Sequence, residues 1–345
     1  MGKRLHNKVN KEVLREKIQN EQEERVTLSF YKYAHIPNPQ LFRDHFYLKL
    51  EEINAFGRIY IAKEGVNGQM SIPADHVNKL REIFNHIEFL KNIRLNIAIE
   101  EGISFIKLTI KIRDKIVADG LADDGFDVTK GGQHIDAVKF NELAENEDVV
   151  IVDMRNHYES EVGHFKDAIC PDVETFRESL PIVEVLLEDK KNQHIVMYCT
   201  GGIRCEKASA YYKHRGFDKV YQLDGGIIEY ARQVEKLGIE NKFIGKNFVF
   251  DDRLGERISQ EIISNCHQCG KPCDSHTNCA NDACHILFIQ CTDCAVNYES
   301  TCSHKCKDFN KLPIAERDRL KPMTEFNGTK FGKGRYKANR KDNIL

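Results

Sequence analysis

The stretch HIVMYCTGGIRCEKASAYY, His194 to Tyr212, decides how the middle of the chain folds. A short apolar run ends at Cys199. Four residues, Thr200, Gly201, Gly202 and Ile203, separate that cysteine from Arg204. A second thiol, Cys205, follows, and then a run that reads as a helix from about Glu206 to His214. A strand that passes through a glycine turn into a helix can point its backbone N–H groups inward, forming a concave anion nest. The helix N-terminus adds its positive end, and Arg204 adds a full charge. All three favour thiolate over thiol, so the spacing predicts a depressed pKa at Cys199. Cys205 lies off the centre of such a nest. It reads either as a resolving thiol that closes on an oxidised Cys199 or as a small packed residue.

Two further segments extend the pattern. DVVIVDMRN (Asp148–Asn156) is an apolar run of the buried parallel type that ends in Asp153 and Arg155, two supporting residues for the site. KVYQL (Lys219–Leu223) is another, followed by the helical DGGIIEYARQVEKLG. Strand–helix alternation implies a parallel sheet, with chemistry at the carboxyl ends of its strands. Cysteine phosphatases place one residue more between their cysteine and arginine. The shorter spacing resembles the rhodanese sulfurtransferases, whose loop fits a persulfide sulfur. DMRNHYESEVGHFKDA (Asp153–Ala168) resembles the rhodanese D-x-R…E…GH-x-x-A signature, and GFDKVYQLDGGIIEY resembles its closing strand and turn.

Before this domain the order reads β-α-β-β-α-β. VTLSFYKYA is rich in β-formers, and residues 38–54 read as a helix with Leu41, Phe42, Phe46, Leu48 and Leu50 on its apolar face. FGRIYIAKEG and VNGQMSIP form two strands, ADHVNKLREIFNHI a helix, and FIKLTIKIRDKIV (105–117) a last strand whose polar side is cationic. That order predicts a ferredoxin- or acylphosphatase-like domain. The cationic side reads as a surface for a phosphate backbone or as the wet face of a half-exposed sheet.

Behind the parallel-sheet domain, nine of the 12 cysteines lie between Cys266 and Cys306. Cys266-x2-Cys269 and Cys291-x2-Cys294 stand 21 residues apart, a spacing that fits a structural, tetrahedral zinc site. Cys273, Cys279, Cys284, Cys302 and Cys306, with His276 and His285, supply material for a second. Arg253, Arg257 and Lys246 precede the cluster and read as partners of Asp251, Asp252 and Glu256, or as RNA contacts.

The fold class is therefore α/β plus α+β: an extension (1–25), a ferredoxin-like domain (26–120), a Gly/Asp-rich linker (121–135), a rhodanese-like domain (136–240), a small Cys-rich domain (241–306) and a tail (307–345). The tail carries 11 Lys/Arg against 5 Asp/Glu, which suits a polyanion or a solvated segment. No apolar run approaches the roughly 18 residues of a membrane span, and the charged first 25 residues do not read as a signal peptide. The expected compartment is the cytoplasm, with no membrane and no stable protein partner inferred, and its thiols are expected to stay reduced. No G-x-G-x-x-G follows a strand, so no flavin or nicotinamide motif is read.

FYKYAHI, IAKEGVNGQ, IVADG, DMRNHYE, MYCTGGIRCEKAS, GGIIEYA, FIGKNFVFDDRLGERIS, CHQCGKPCDSHTNC and HILFIQC occur in that order. Together they resemble the bacterial rhodanese-domain tRNA uridine hydroxylases (the TrhO family) from about Leu5 to the tail. The resemblance implies hydroxylation of the wobble uridine in the tRNA anticodon at carbon 5, with molecular oxygen as co-substrate and Cys199 as the essential cysteine. The loop by itself reads as that of a persulfide-forming sulfurtransferase acting in tRNA thiolation or sulfur relay, and hydroxylation rests on the resemblance.

Overall fold

A computed structural model describes residues 24–328 apart from 101 and 122–125, together with 16, 335 and 336. Most of the N-terminal extension and most of the tail beyond 328 lie outside the described residues. Among the described residues no helix is long and apolar enough to cross a membrane.

The first domain is a five-stranded sheet, ordered β4-β1-β3-β2-β5. Its strands are β1 (Arg25–Tyr33), β2 (Phe56–Ala62), β3 (Gly65–Pro73), β4 (Asn96–Ile97) and β5 (Leu108–Ile112). Helices α1 (Pro39–Glu52) and α2 (Val77–Asn85) supply the aromatic cover of one face. Alternation along β1 puts Leu28 and Phe30 in the core, where Phe30 meets Phe46 and Phe84 at 6.4 and 4.8 Å between centroids. Gly68 is needed beneath that contact, because a Cβ there would stand 2.6 Å from the Phe30 ring.

Two sequence expectations change here. In α1, Phe46, Tyr47 and Leu50 are buried, whereas Leu41 and Leu48 are 67% and 42% exposed. At about 100° per residue those two leucines fall on the far side from Phe46. The last strand spans only Leu108–Ile112, where it pairs in parallel with Gly57–Ile61 of β2.

The second domain is a parallel sheet ordered β6-β10-β9-β7. Its strands are β6 (Gln133–Ile135), β7 (Val149–Asp153), β9 (His194–Tyr198) and β10 (Val220–Leu223). Both faces are covered by packed cores, which is why the neighbouring strands β7 and β9 are mostly apolar. The accompanying helices are α3 (Ala137–Ala144), α4 (His157–Ser160), α5 (Phe176–Leu186), α6 (Ile203–His214) and α7 (Gly226–Leu237). β6 lies in the stretch read as linker. Gly132 beside it packs so tightly that a Cβ would meet the Val220 carbonyl oxygen at 2.7 Å.

A small sheet of β8 (Gly163–Phe165), β11 (Phe243–Asn247) and β12 (Glu256–Arg257) leads into the Cys-rich region. There, β13 (His276–Asn278) pairs with β14 (Leu287–Ile289), followed by α8 (Thr292–Asn297), α9 (His304–Lys311) and α10 (Ile314–Leu320).

One buried cation joins the first two domains. Lys207 of α6 reaches Glu64 at 2.8 Å and Asp119 at 2.5 Å, and only 2% of the residue is exposed. Arg232 of α7 adds two bonds to the carbonyls of Ile97 and Ala98. Removing one partner of a buried ion pair strands the other. Lys207→Ala is therefore expected to lower unfolding stability by about 3–5 kcal/mol in denaturant titration, while Lys139→Ala, in an exposed pair with Glu142, changes it by less than about 1 kcal/mol.

Candidate active site

The apolar run 194–198 forms the central strand β9, and Cys199 leaves its carboxyl end. Gly202 takes φ +97°, which lets the chain turn at once into α6. The helix starts at Ile203, earlier than the sequence pattern suggested, so its first amides surround the sulfur. The Gly202 N–H donates to Cys199 Sγ at 3.2 Å, and the N–H groups of Arg204 and Cys205 also point to it. A side chain on Gly202 would meet the Tyr31 hydroxyl at 2.8 Å.

The loop is held from its other side by α7. The Ile227 and Ile228 N–H groups donate to the carbonyls of Cys199 and Thr200. A Cβ on Gly226 would stand 2.4 Å from the Cys199 carbonyl oxygen. The glycines of GGIIEY thus have a steric cause.

Burial opposes ionisation of Cys199. It is outweighed by the Cys205 thiol, the Arg204 charge and the loop amides, so the pKa is lowered from about 9.0 to about 6. Cys205 is fully buried in the core shared with Met197 and Tyr212, beside the Cys199 sulfur. Burial pushes its own pKa well up. It does not line the cavity described below.

Arg204 is not a free charge. Glu159, fully buried on α4, accepts from both ends of its guanidinium at 2.7 and 2.8 Å. Burial would raise the Glu159 pKa, and Arg204 more than reverses this, leaving a carboxylate. The rhodanese signature contains this glutamate, but its role as the clamp on Arg204 is visible only in three dimensions. Asp153 and Arg155 are also fully buried. They pair at 2.6 Å, and Arg155 donates to the Gly163 carbonyl while Tyr198 donates to Asp153. They brace the strand ends and do not line the cavity.

Cys199, Thr200, Gly201, Ile203 and Arg204 form part of the wall of a cavity of about 760 Å³ between the two domains. The N-terminal sheet supplies the opposite wall through residues such as Ser29, Tyr31 and Gln69. Glu256, read from sequence only as an ion-pair partner of the nearby cations, also lines it. Its Oε1 accepts from the Ile99 N–H and Arg253, its Oε2 has no hydrogen-bond partner among the described residues, and burial raises its pKa. Arg253 pairs with Asp251 as well, and Arg257 pairs with Asp274.

In the C-terminal region the cysteines separate into two tetrads. Cys266, Cys269, Cys291 and Cys294 form one, and Cys279, Cys284, Cys302 and Cys306 the other, each with all sulfurs within 4.8 Å. Cys273, His276 and His285 join neither. The sulfur separations of 3.6 Å for Cys269–Cys291 and 3.7 Å for Cys284–Cys302 match the edge of a tetrahedron with metal–sulfur bonds of about 2.3 Å. Both tetrads can hold a single metal ion.

A cysteine cradled at the end of a central parallel strand, with arginine five positions on, defines a rhodanese-type domain, here walled by a second domain. Three family models match in order: "UPF0176 acylphosphatase like domain" over residues 25–116, "Rhodanese-like domain" over 136–233 and "Rhodanase C-terminal" over 244–307. The chain is 52% identical over 329 residues to a tRNA uridine(34) hydroxylase of Pectobacterium atrosepticum, covering 95% of this chain and 92% of that protein. It is 49% identical over 343 residues to one of Escherichia fergusonii, covering 99% and 98%. The chain belongs to the tRNA uridine(34) hydroxylase family.

Alkylation of Cys199, followed by peptide mass spectrometry, is expected to show a midpoint near pH 6. Cys205→Ala removes a donor to the thiolate, so the midpoint moves up by about one unit or more, and the thiolate fraction at neutral pH falls.

Proposed function

We propose that this chain hydroxylates the wobble uridine of tRNA at carbon 5, with Cys199 as the nucleophile. The supporting observation is the placement of an ionised thiol in the wall of an interdomain cavity large enough for a nucleotide. A persulfide relay needs the loop alone and gives no reason for the facing domain. The names of the relatives support the same substrate.

In this reading the thiolate adds to carbon 6 of uracil, which makes carbon 5 nucleophilic toward an oxygen species. Loss of the carbon-5 proton then expels the thiolate. The balance is uridine plus O2 plus an external two-electron, two-proton reductant of the dithiol class, giving 5-hydroxyuridine, water and the disulfide of that reductant. Gly201, Gly202 and the start of α6 hold the sulfur negative before attack and after release. Thr200 and Ile203 shape the wall beside it. Glu159 keeps Arg204 in register, and Asp153 with Arg155 fixes the strand ends below. The enzyme acts where tRNA is found, in the cytoplasm, on the anticodon region.

The tetrad of Cys266, Cys269, Cys291 and Cys294 is read as a structural zinc site, and the second tetrad has the same donors and dimensions. When bound, zinc supplies cross-linking to a region too small to build much core. Metal analysis is expected to find about two zinc ions per chain, falling to about one in Cys302→Ser.

Nucleosides from a strain lacking this chain are expected to lose 5-hydroxyuridine derivatives. Wild-type protein restores them and Cys199→Ser does not. Loss of a thiolated base instead would support the sulfurtransferase reading.

A further inference from the structure

Strand pairing sorts the polar side chains of the N-terminal sheet into rows. Ser29 pairs with Gln69, and Gln69 with Arg58. Two residues along, Tyr31 pairs with Asn67, Asn67 with Tyr60, and Tyr60 with Lys111. Cross-strand partners share a face, and residues two apart on a strand share it too. Both rows therefore lie on one face, opposite the core side chains Leu28, Phe30, Ile59 and Ile61.

One end of the rows touches the catalytic loop. The Tyr31 hydroxyl abuts Gly202, and Asn96, next to Ser29 in the sheet, donates to the Gly201 carbonyl at 3.4 Å. The rows then cross the strands toward the β5 edge. At a strand spacing of about 4.8 Å, Arg58 and Tyr60 stand about 10 Å from the loop end and Lys111 about 14 Å. Arg58 and Tyr60 still line the cavity that holds Cys199, so the face and the cavity are continuous.

The side chains of the two rows carry charge of one sign, and the one carboxylate bonded to a row residue, Glu206 at the loop end, accepts from the Tyr31 hydroxyl. Neither row contains a carboxylate. Arg58 and Lys111 are exposed, and among the described residues neither has an ion-pair partner. The Arg113 guanidinium lies 5.5 Å from the centre of the Tyr60 ring, adding positive charge beside an aromatic surface. By contrast, the arginines deeper in the site, Arg204 and Arg253, are already neutralised by carboxylates. The face borders the cavity, with Asn67 of the second row donating to the Ile116 carbonyl at 3.3 Å, and unpaired cations beside an aromatic ring at such a cavity wall suit a single strand of RNA. Bases stack on the ring and phosphates meet the cations, and four-stranded sheets in other RNA-binding folds seat two or three bases this way.

We infer that this face is the platform for the single-stranded anticodon loop. The strand of RNA runs across β1, β3, β2 and β5, with the reacting uridine at the Cys199 end. A neighbouring base stacks on Tyr60, and Arg58 and Lys111 meet backbone phosphates. The inference rests on RNA being the substrate, as proposed above.

Steady-state kinetics with purified tRNA, and binding of an anticodon stem-loop RNA at several salt concentrations, test it. Tyr60→Ala is expected to raise KM and Kd about tenfold or more, with Tyr60→Phe retaining wild-type values. Arg58→Ala and Lys111→Ala are each expected to weaken binding and to lower the salt-dependence exponent by about 0.7, and Arg58→Lys to restore that exponent. The alkylation midpoint of Cys199 should not move in any of them, which separates a lost platform from a misfolded site. Wild-type KM, Kd and salt dependence in Tyr60→Ala, Arg58→Ala and Lys111→Ala would overturn the platform while leaving the hydroxylase reading intact. A wild-type chain that binds the stem-loop through these residues yet forms no 5-hydroxyuridine would support the platform and overturn the hydroxylase reading.

Discussion

A negative sulfur held away from water costs several kcal/mol unless donors surround it. Cys199 is fully buried, so the rest of the site is organised around meeting that cost. The amides of Gly202, Arg204 and Cys205 converge on it because Gly202 adopts a left-handed turn at the start of α6. Gly226 lets α7 approach the loop backbone from the other side. Glu159 then fixes Arg204, so that its charge acts on the sulfur without being free to bind an anion of its own. The pair is internally neutral, which distinguishes this cradle from one built to hold a dianionic substrate.

The cradle alone does not make a substrate site. A facing wall comes from the first domain, and two contacts from α6 help to secure it. Lys207 lies one turn beyond the nest and ties α6 to Glu64 and Asp119. Glu206, beside it, accepts from the Tyr31 hydroxyl. The helix that stabilises the thiolate at its first turn therefore also docks the neighbouring domain over it. Stability and chemistry share one element, so a change that loosens the dock also opens the cavity.

Much of this was legible in sequence. The apolar runs ending at Cys199 and Asp153 announced two parallel strands, and the β-α-β-β-α-β order announced the first domain. The nest and the depressed pKa followed from the spacing of Cys199, Gly201, Gly202 and Arg204. What could not be read were contacts between distant positions. Nothing near Lys207 points to Glu64, and nothing near Arg204 points to Glu159. Strand β6 was hidden because its three residues sit in a glycine-rich stretch with little apolar signal. The division of the nine clustered cysteines was hidden because the tetrads interleave: Cys279 and Cys284 fall between the two halves of the other site. Leu41 and Leu48 misled because hydrophobicity was read without their angular position on the helix.

The central claim is that Cys199 forms a covalent bond to the uridine it modifies. Incubation with tRNA carrying 5-fluorouridine at the wobble position tests it directly, because fluorine at carbon 5 blocks the proton loss that would release the thiolate. The account predicts a protein–RNA adduct that survives denaturation and maps by mass spectrometry to the peptide containing Cys199, and that is absent in Cys199→Ser. An adduct at another residue, or full hydroxylation of normal tRNA by Cys199→Ser, would contradict it.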